Sequence, residues 1–195
     1  MRRSTSLLMR WQWVWPLLRP ALRSRFDELA PTWETRLGPG QLAALERALD
    51  DLPAPRRVLD VGTGTGVAAK ALARRFPEAE VVGVDLSLRM LEEARARLPE
   101  ELRDRVRFEV GDAAALAYEA GAFELVTLSS AIPFFRELAR VIEPGGHVII
   151  SYSLGPQTPA YVPPETLRRG LAARGFAEFA EFSAPPATAL RATRR

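Results

Sequence analysis

Three closely spaced glycines and a later carboxylate stand where two apolar runs end. The first run, residues 58–61, leads into Gly62, Gly64 and Gly66, and Asp85 closes the next apolar run. A glycine-rich turn before a helix lets backbone N–H groups approach a ligand closely. An acid at the end of the second strand can accept hydrogen bonds from both hydroxyls of a ribose. The pattern predicts a nucleoside-containing cofactor at the carboxyl edge of a parallel sheet.

Asp60 indicates which nucleoside cofactor fits this turn. It lies two residues before Gly62, and the glycine spacing is G-x-G-x-G rather than the G-x-G-x-x-G of dinucleotide binding. A carboxylate here would repel a pyrophosphate, because like charges repel. It suits the sulfonium and ammonium groups of S-adenosylmethionine, whose own carboxylate can meet the backbone N–H groups. The turn therefore favours that ligand over NAD, and the lack of a Gly-Lys-Ser/Thr ending argues against a P-loop.

A third acid follows the third predicted strand, in Val110-Gly111-Asp112-Ala113. The Asp112 carboxylate can accept a hydrogen bond from the exocyclic amine of adenine, and the next backbone N–H can reach a ring nitrogen. For Asp85 the alternative is an N-cap of the helix that begins near Leu86. The order of these acids on successive strands favours ribose and adenine contacts.

Strands and helices alternate from Arg57 onward, which predicts a Rossmann-like α/β fold. We expect a doubly wound, mostly parallel sheet with helices on both faces. Its last two strands form a closing pair with an antiparallel C-terminal strand, which gives the sheet an antiparallel edge. Pro144-Gly145-Gly146 predicts a helix stop and turn. The predicted strands are 57–61, 80–85, 106–110, 123–129, 146–152, 177–183 and 187–193, and the predicted helices are about 41–49, 66–76, 88–97, 134–142 and 164–174.

From about residue 55 to residue 195, the chain resembles the class I S-adenosylmethionine-dependent methyltransferases. The motifs that carry the resemblance are Leu59-Asp60-Val61-Gly62-Thr63-Gly64-Thr65-Gly66, Gly83-Val84-Asp85, Gly111-Asp112-Ala113, Phe123-Glu124-Leu125-Val126, and Leu138-Ala139-Arg140-Val141-Ile142-Glu143-Pro144-Gly145-Gly146. Upstream, Phe26-Asp27-Glu28-Leu29-Ala30-Pro31-Thr32-Trp33 resembles a segment of the family's small-molecule and quinone branch. The resemblance implies methyl transfer from S-adenosylmethionine and a sheet whose seventh strand is reversed.

Residue by residue, the resemblance places the methionine part of the cofactor on the glycine turn, with Asp60 orienting it. It places the ribose on Asp85, and the adenine between Leu86 and the Gly-Asp-Ala turn. An aromatic residue at the Trp33 position often approaches the cofactor in the family. The candidate cofactor-binding residues are Asp60, Gly62, Thr63, Gly64, Gly66, Asp85, Leu86, Asp112, Ala113, Ser129 and Trp33.

The methyl acceptor is expected after the fourth strand, where the chain departs from the family. The stretch from Phe123 to Gly146 is shorter than usual, and the polar or histidine residues often found there are missing. Methyl transfer is an in-line displacement that mainly needs alignment and exclusion of water. It needs a general base only if the acceptor must lose a proton. The apolar residues here, Ile132, Phe134 and Phe135, form either an acceptor wall or part of the core.

No catalytic residue is assigned from the sequence. Ser129, Tyr152 and Tyr161 are candidates for the acceptor side. His147 opens a buried strand, which is typical of a structural histidine rather than a base. The prediction is a methyltransferase for a small, apolar or aromatic acceptor. The alternatives are a methyltransferase-like binding protein without turnover and an enzyme that modifies RNA or lipid.

Composition restricts the other functional classes. The chain of 195 residues has no cysteine and one histidine, which argues against thiolate catalysis, disulfides and a metal site. The net charge is +3, and Lys70 is the only lysine. No aromatic-interleaved basic patch lies outside the N-terminal arm, which argues against nucleic acid as a partner. The expected partner is a small molecule and the expected location is the cytoplasm.

The predicted divisions are an arm at 1–24, a helical segment at 25–54 and a methyltransferase domain at 55–195. The first 26 residues hold arginine but no acid, and residues 7–18 are apolar and rich in tryptophan. Tryptophan beside arginine suits peripheral contact with a membrane. The favoured interpretation is nevertheless a lid or packing arm over the apolar surface of the domain, and the third is a dimer arm. The oligomeric state is left open.

Overall fold

The computed structural model describes residues 14–36 and 38–195. These residues form six α-helices and a sheet of seven strands. The helices are α1 Trp15–Leu29, α2 Ala43–Leu49, α3 Val67–Arg75, α4 Leu88–Ala96, α5 Phe135–Val141 and α6 Pro164–Ala172. The strands are β1 Arg57–Val61, β2 Glu80–Asp85, β3 Val106–Val110, β4 Phe123–Ser129, β5 Ile142–Tyr152, β6 Phe176–Ala184 and β7 Ala187–Arg194.

The strands lie in the order β3-β2-β1-β4-β5-β7-β6, and the first five are parallel. The doubly wound, mostly parallel fold is confirmed. The predicted antiparallel pair at this edge is confirmed, and β7 lies between β5 and β6 and runs antiparallel to both. Helix α6 carries the chain past the open edge of β5 to β6. The following hairpin then brings β7 back into the gap, where it pairs with strands on both sides.

Helices cover both faces of the sheet, as the sequence predicts. Helices α2, α3 and α4 pack on one face and share a core cluster with Val58, Val81 and Ile149. Helices α5 and α6 pack on the other face, in a cluster with Leu59 and Val126. Burial on both faces explains why the central strands read as continuous apolar runs.

Pro144-Gly145-Gly146 lies within strand β5 rather than forming a separate turn before it. Helix α5 ends at Val141, and the extended chain begins at Ile142. Gly145 has φ +85°, and the register between β4 and β5 shifts between Phe123 and Leu125. The helix stop was therefore correct, but a bulged strand absorbs the proline and glycines.

Helix α1 runs unbroken across the predicted boundary between residues 24 and 25. Pro16 lies in its first turn, where a missing N–H costs little, and Pro20 lies inside it. The helix packs on α4. Most of the apolar segment predicted at residues 7–18 is outside the described residues. In the part of the chain that the structure describes, no helix is long and apolar enough to cross a membrane.

A partly buried ion pair between Glu137 and Arg140 fastens α5 to the loop after β3. The Glu137 side chain is 8% exposed and accepts hydrogen bonds from Arg140 at 2.8 Å and from the Leu116 N–H at 3.0 Å. Arg140 also donates to the Leu116 carbonyl at 2.7 Å. Burial raises the pKa of Glu137, but the bonds from Arg140 and Leu116 outweigh it and leave the pKa below its usual value.

We expect Glu137→Gln to lower the free energy of unfolding by about 1–2 kcal/mol, since it removes the charge that faces Arg140 in a buried site. Urea titration followed by circular dichroism measures this loss. Glu143→Gln is the matched control, because Glu143 pairs with Arg57 at 3.7 Å through a side chain that is 39% exposed. An exposed pair contributes about 0–1 kcal/mol. Equal losses in the two variants would contradict the role given to Glu137.

Candidate functional site

The glycine turn has a backbone conformation that is open to glycine but strained for other residues. Gly62, Gly64 and Gly66 have φ of +71°, +55° and +76°. The N–H groups of Gly62 and Thr63 donate to the Val84 carbonyl at 2.8 and 3.0 Å. These bonds tie the turn to the carboxyl end of β2. The turn thus holds the start of α3 at the sheet edge.

Asp60 is buried beneath this turn and is 1% exposed. Its carboxylate accepts hydrogen bonds from the hydroxyls of Thr63 at 2.6 Å and Thr127 at 2.9 Å. Burial raises the pKa of Asp60 to about 6, and the two hydroxyl bonds oppose that shift. Asp60 is therefore a carboxyl group that changes its charge near neutral pH, at the base of the turn.

Asp85 links the end of β2 to the glycine turn. One carboxylate oxygen accepts from the Gly64 N–H at 2.9 Å, and the other accepts from the Ser87 N–H at 2.9 Å. Burial raises the pKa of Asp85, opposed by these backbone bonds. Asp85 is not the N-cap of α4, because Ser87 fills that position and accepts from the Met90 N–H.

Asp112 lies at the end of β3 and is bonded to the N-terminal helix. Its Oδ1 accepts from the Trp15 indole N–H at 2.8 Å and from the Ala114 N–H at 2.9 Å. Its Oδ2 accepts from Arg19 at 2.9 Å. Helix α1 therefore lies over the position that the sequence indicates for adenine.

The two apolar candidates for adenine contact surround the same tryptophan. Leu86 and Ala113 pack in a small cluster around the buried pair of Trp15 and Phe134. The two rings meet edge to face, with 5.0 Å between their centroids. Ile132, from the loop after β4, is also part of this cluster. Two residues of the predicted apolar wall, Ile132 and Phe134, thus share one cluster with the predicted adenine contacts.

Trp33 and Ala131 approach the glycine turn closely. A Cβ on Gly64 would lie 3.4 Å from the Trp33 indole nitrogen, and a Cβ on Gly62 would lie 2.8 Å from the Ala131 Cβ. Phe26 supports Trp33 with an edge-to-face contact, with 5.8 Å between the ring centroids. Side chains larger than glycine would therefore meet Trp33 or the loop after β4.

Serine hydroxyls gather at the carboxyl ends of β4 and β5, and the sequence analysis identified only part of this group. Ser129 and Ser151 are hydrogen-bonded at 3.1 Å, and Ser130 and Ser153 at 3.4 Å. Ser130 has φ +60°, which is uncommon for a residue other than glycine. Ser151 and Ser153 could have been identified from the sequence, because they are two residues apart at the end of the strand that follows β4.

Tyr152 and Tyr161 form an edge-to-face pair with 5.0 Å between their ring centroids. Tyr152 is 2% exposed in the core beneath α6, and burial raises the pKa of its hydroxyl. Phe135 is likewise a core residue, since it belongs to the same cluster. The candidates for the acceptor side thus differ in position, with Ser129 at the sheet edge and Tyr152 within the packed face.

His147 lies at the opposite edge of the sheet. Its Nδ1 is 3.2 Å from the Thr193 hydroxyl, and burial lowers its pKa. It lines a cavity of about 140 Å³ at the amino ends of the strands, and a second cavity of about 520 Å³ lies beside Arg57 and Glu80, also at the amino edge. Neither cavity is at the glycine turn.

Known proteins resemble this chain in sequence and in fold. A family model for a methyltransferase domain matches residues 58–146. A demethylmenaquinone methyltransferase of Thermus thermophilus is 40% identical over 139 residues, which are 64% of this chain and 62% of that protein. A malonyl-acyl-carrier-protein O-methyltransferase of Halorhodospira halophila is 38% identical over 151 residues, 72% of this chain and 50% of that protein. The chain thus spans about half to three fifths of these relatives' length.

One solved structure supports the fold independently. It is an S-adenosylmethionine-dependent methyltransferase of Thermotoga maritima, a possible histamine N-methyltransferase, with a TM-score of 0.67 and 20% identity. The match covers 87% of this chain and 98% of that one. The family match identifies residues 58–146 as a methyltransferase domain, and the strand order and the glycine turn support a class I S-adenosylmethionine-dependent methyltransferase.

Proposed function

We propose that this chain transfers the methyl group of S-adenosylmethionine to a small, apolar or aromatic acceptor. The observation that carries the proposal is the line of three carboxylates, Asp60, Asp85 and Asp112, at the ends of the first three strands beside the glycine turn. The sulfonium makes the methyl group reactive. The protein supplies alignment and a dry path to the acceptor.

In the proposed cofactor pose, Asp85 holds the ribose. A carboxylate has about four acceptor positions. The Asp85 oxygens accept the Gly64 and Ser87 N–H groups at 2.9 Å, the Leu86 N–H also bonds to this carboxylate, and the ribose hydroxyls would take its remaining acceptor capacity. The methionine part would lie along Gly62 and Gly64, beneath Trp33, with Ser129 at the acceptor end. Adenine would lie against Leu86, with its amine toward Asp112.

The acceptor proposal rests on the surface after β4. Ile132 is half-buried there against the cluster of Trp15 and Phe134. The serine hydroxyls at the ends of β4 and β5 offer donors for one polar end of an acceptor. The Thermus relative is named for demethylmenaquinone, and this name supports a small-molecule acceptor for the present chain.

Transfer of labelled methyl groups tests the function directly. The full chain is incubated with methyl-labelled S-adenosylmethionine and with separate metabolite, lipid and RNA fractions. We expect label in the small-molecule fraction. Label only in RNA or lipid would favour those acceptors, and binding without label in any fraction would favour a protein without turnover. Calorimetry with NAD is the control for the cofactor, and tighter binding of NAD would overturn the assignment.

The affinity for S-adenosylmethionine is expected to rise with pH, about three- to tenfold between about pH 5 and about pH 7. Asp60, with a pKa of about 6, is mostly protonated at the lower pH and ionised at the higher. The ionised form attracts the cationic cofactor, so binding lowers the pKa of Asp60 and releases a proton. Calorimetry in buffers of different ionisation enthalpy measures both effects.

Asp60→Asn separates this effect from other titrating groups. The asparagine amide fills the same space but carries no charge. The affinity of this variant for S-adenosylmethionine is therefore expected to vary little over the same pH range. S-adenosylhomocysteine, which lacks the sulfonium charge, should show a smaller pH dependence with the original protein. If the affinity varied with pH in the same way in the original protein and in Asp60→Asn, the charge of Asp60 would have no part in cofactor binding.

A further inference from the structure

Helix α1 crosses the carboxyl ends of β2 and β3 and is held to the domain near both of its ends. At its start, Trp15 and Arg19 bond to Asp112. Toward its end, Asp27 accepts from the Ser87 hydroxyl at 2.6 Å, and Ser87 is the N-cap of α4. The helix therefore spans the two sites proposed for ribose and adenine.

The first turn of α1 presents to Asp112 the same kind of donor that adenine would present. The Trp15 indole is a flat aromatic ring with an N–H directed at a carboxylate oxygen 2.8 Å away. Trp15 is 6% exposed, and it packs among Leu86, Ala113 and Phe134. With the Ala114 N–H and Arg19, three donors already bond to Asp112.

We propose that Trp15 occupies the adenine end of the cofactor site, so that the first turn of α1 must release Asp112 before S-adenosylmethionine binds. The inference rests on the proposed function, since it takes Asp112 and Leu86 as adenine contacts. Trp15 and the cofactor then compete for one acceptor and one apolar surface. The affinity measured for the cofactor is reduced by the fraction of molecules in which Trp15 is in place.

Pro20 separates the part of the helix that must move from the part that stays. Proline has no N–H, so the helical bond from residue 20 to the Pro16 carbonyl is missing. Trp15 and Arg19 precede this position, and the contact between Asp27 and Ser87 follows it. The first turn can therefore bend away while the rest of α1 remains attached to α4.

Trp15 contributes more than Arg19 to this closed arrangement. The Arg19 side chain is 49% exposed, and an ion pair in water is weak. The indole bond is charge-assisted and largely shielded from solvent, so its loss has the larger effect. Removing the indole N–H while keeping an aromatic ring against Phe134 is thus the sharpest change.

The test compares cofactor binding by Trp15→Phe and by the original full-length chain. We expect the phenylalanine variant to bind S-adenosylmethionine about fivefold to tenfold more tightly and to associate faster, because its Asp112 is released more often. Arg19→Gln, which leaves the packing intact, should give a smaller gain of about twofold. Leu17→Ala is the matched control, since Leu17 lies in the same turn and is 75% exposed. It should leave the affinity unchanged.

A spectroscopic readout follows the movement itself. In isotopically labelled protein, the Trp15 indole N–H resonance is the one that Trp15→Phe removes. It should move away from its hydrogen-bonded position when S-adenosylhomocysteine saturates the site. A resonance that stays in place on saturation, or equal or weaker cofactor binding by Trp15→Phe, overturns the inference alone. No S-adenosylmethionine binding by either protein overturns the proposed function as well.

Discussion

Asp85→Ala is expected to weaken the binding of S-adenosylmethionine at least about 100-fold. In the proposed pose the carboxylate accepts from two ribose hydroxyls, and each charge-assisted bond contributes about 1.5–3 kcal/mol. A loss of about 2.7 kcal/mol already corresponds to 100-fold. The same carboxylate holds the Gly64 and Ser87 N–H groups at 2.9 Å, so its removal also loosens the turn that should carry the methionine part.

Calorimetric titration of the variants measures this loss, and circular dichroism shows whether they are folded. Asp85→Asn keeps one acceptor oxygen and should lose only about tenfold. Glu78→Gln is the control for a changed charge, because Glu78 is exposed at the amino edge of the sheet. A folded Asp85→Ala protein with the original affinity would remove Asp85 from the site.

Much of the fold is predictable because its strands are buried on both faces. Such strands are largely apolar runs between glycine, proline or aspartate, and β1, β2 and β4 follow those runs closely, whereas the edge strand β3 alternates apolar and charged residues. The position of β7 was not predictable in the same way. Whether β7 pairs with β5 or lies at the edge of the sheet depends on which strands meet in the folded chain. The residue types of β7 do not distinguish these two positions.

The order of the cofactor motifs can be read from the sequence alone, but the residues that bond to them cannot. The Trp15 contact joins residues 97 positions apart, and Pro16 and Pro20 obscure the helix that brings it there. Likewise, Ser129 and Ser151 meet only because the register of β4 and β5 sets them side by side. The sequence therefore indicates which groups line the edge, while the folded chain determines what they bond to.

Gly66→Ala is expected to lower the free energy of unfolding by about 3 kcal/mol. Gly66 has φ +76°, a conformation that costs other residues about 1–2 kcal/mol. An added Cβ would also lie 2.5 Å from the Phe108 ring and 3.3 Å from the Ala94 Cβ. Overpacking of this kind costs about 1–3 kcal/mol. For a domain of this size, the midpoint of thermal unfolding should fall by about 6–12 °C.

Gly145→Ala isolates the backbone part of that cost. Gly145 has φ +85°, but a Cβ there would meet nothing within 4 Å, so the expected loss is only about 1 kcal/mol. Phe108→Leu in the Gly66→Ala background should recover part of the difference, because it shortens the ring that the new methyl group would strike. A double-mutant cycle measures that recovery as a coupling energy. Equal losses at the two glycines, with no coupling to Phe108, would mean that Gly66 is required only for its backbone angle. A positive coupling would show that this glycine also lets the start of α3 pack against β3, which holds the turn at the cofactor edge.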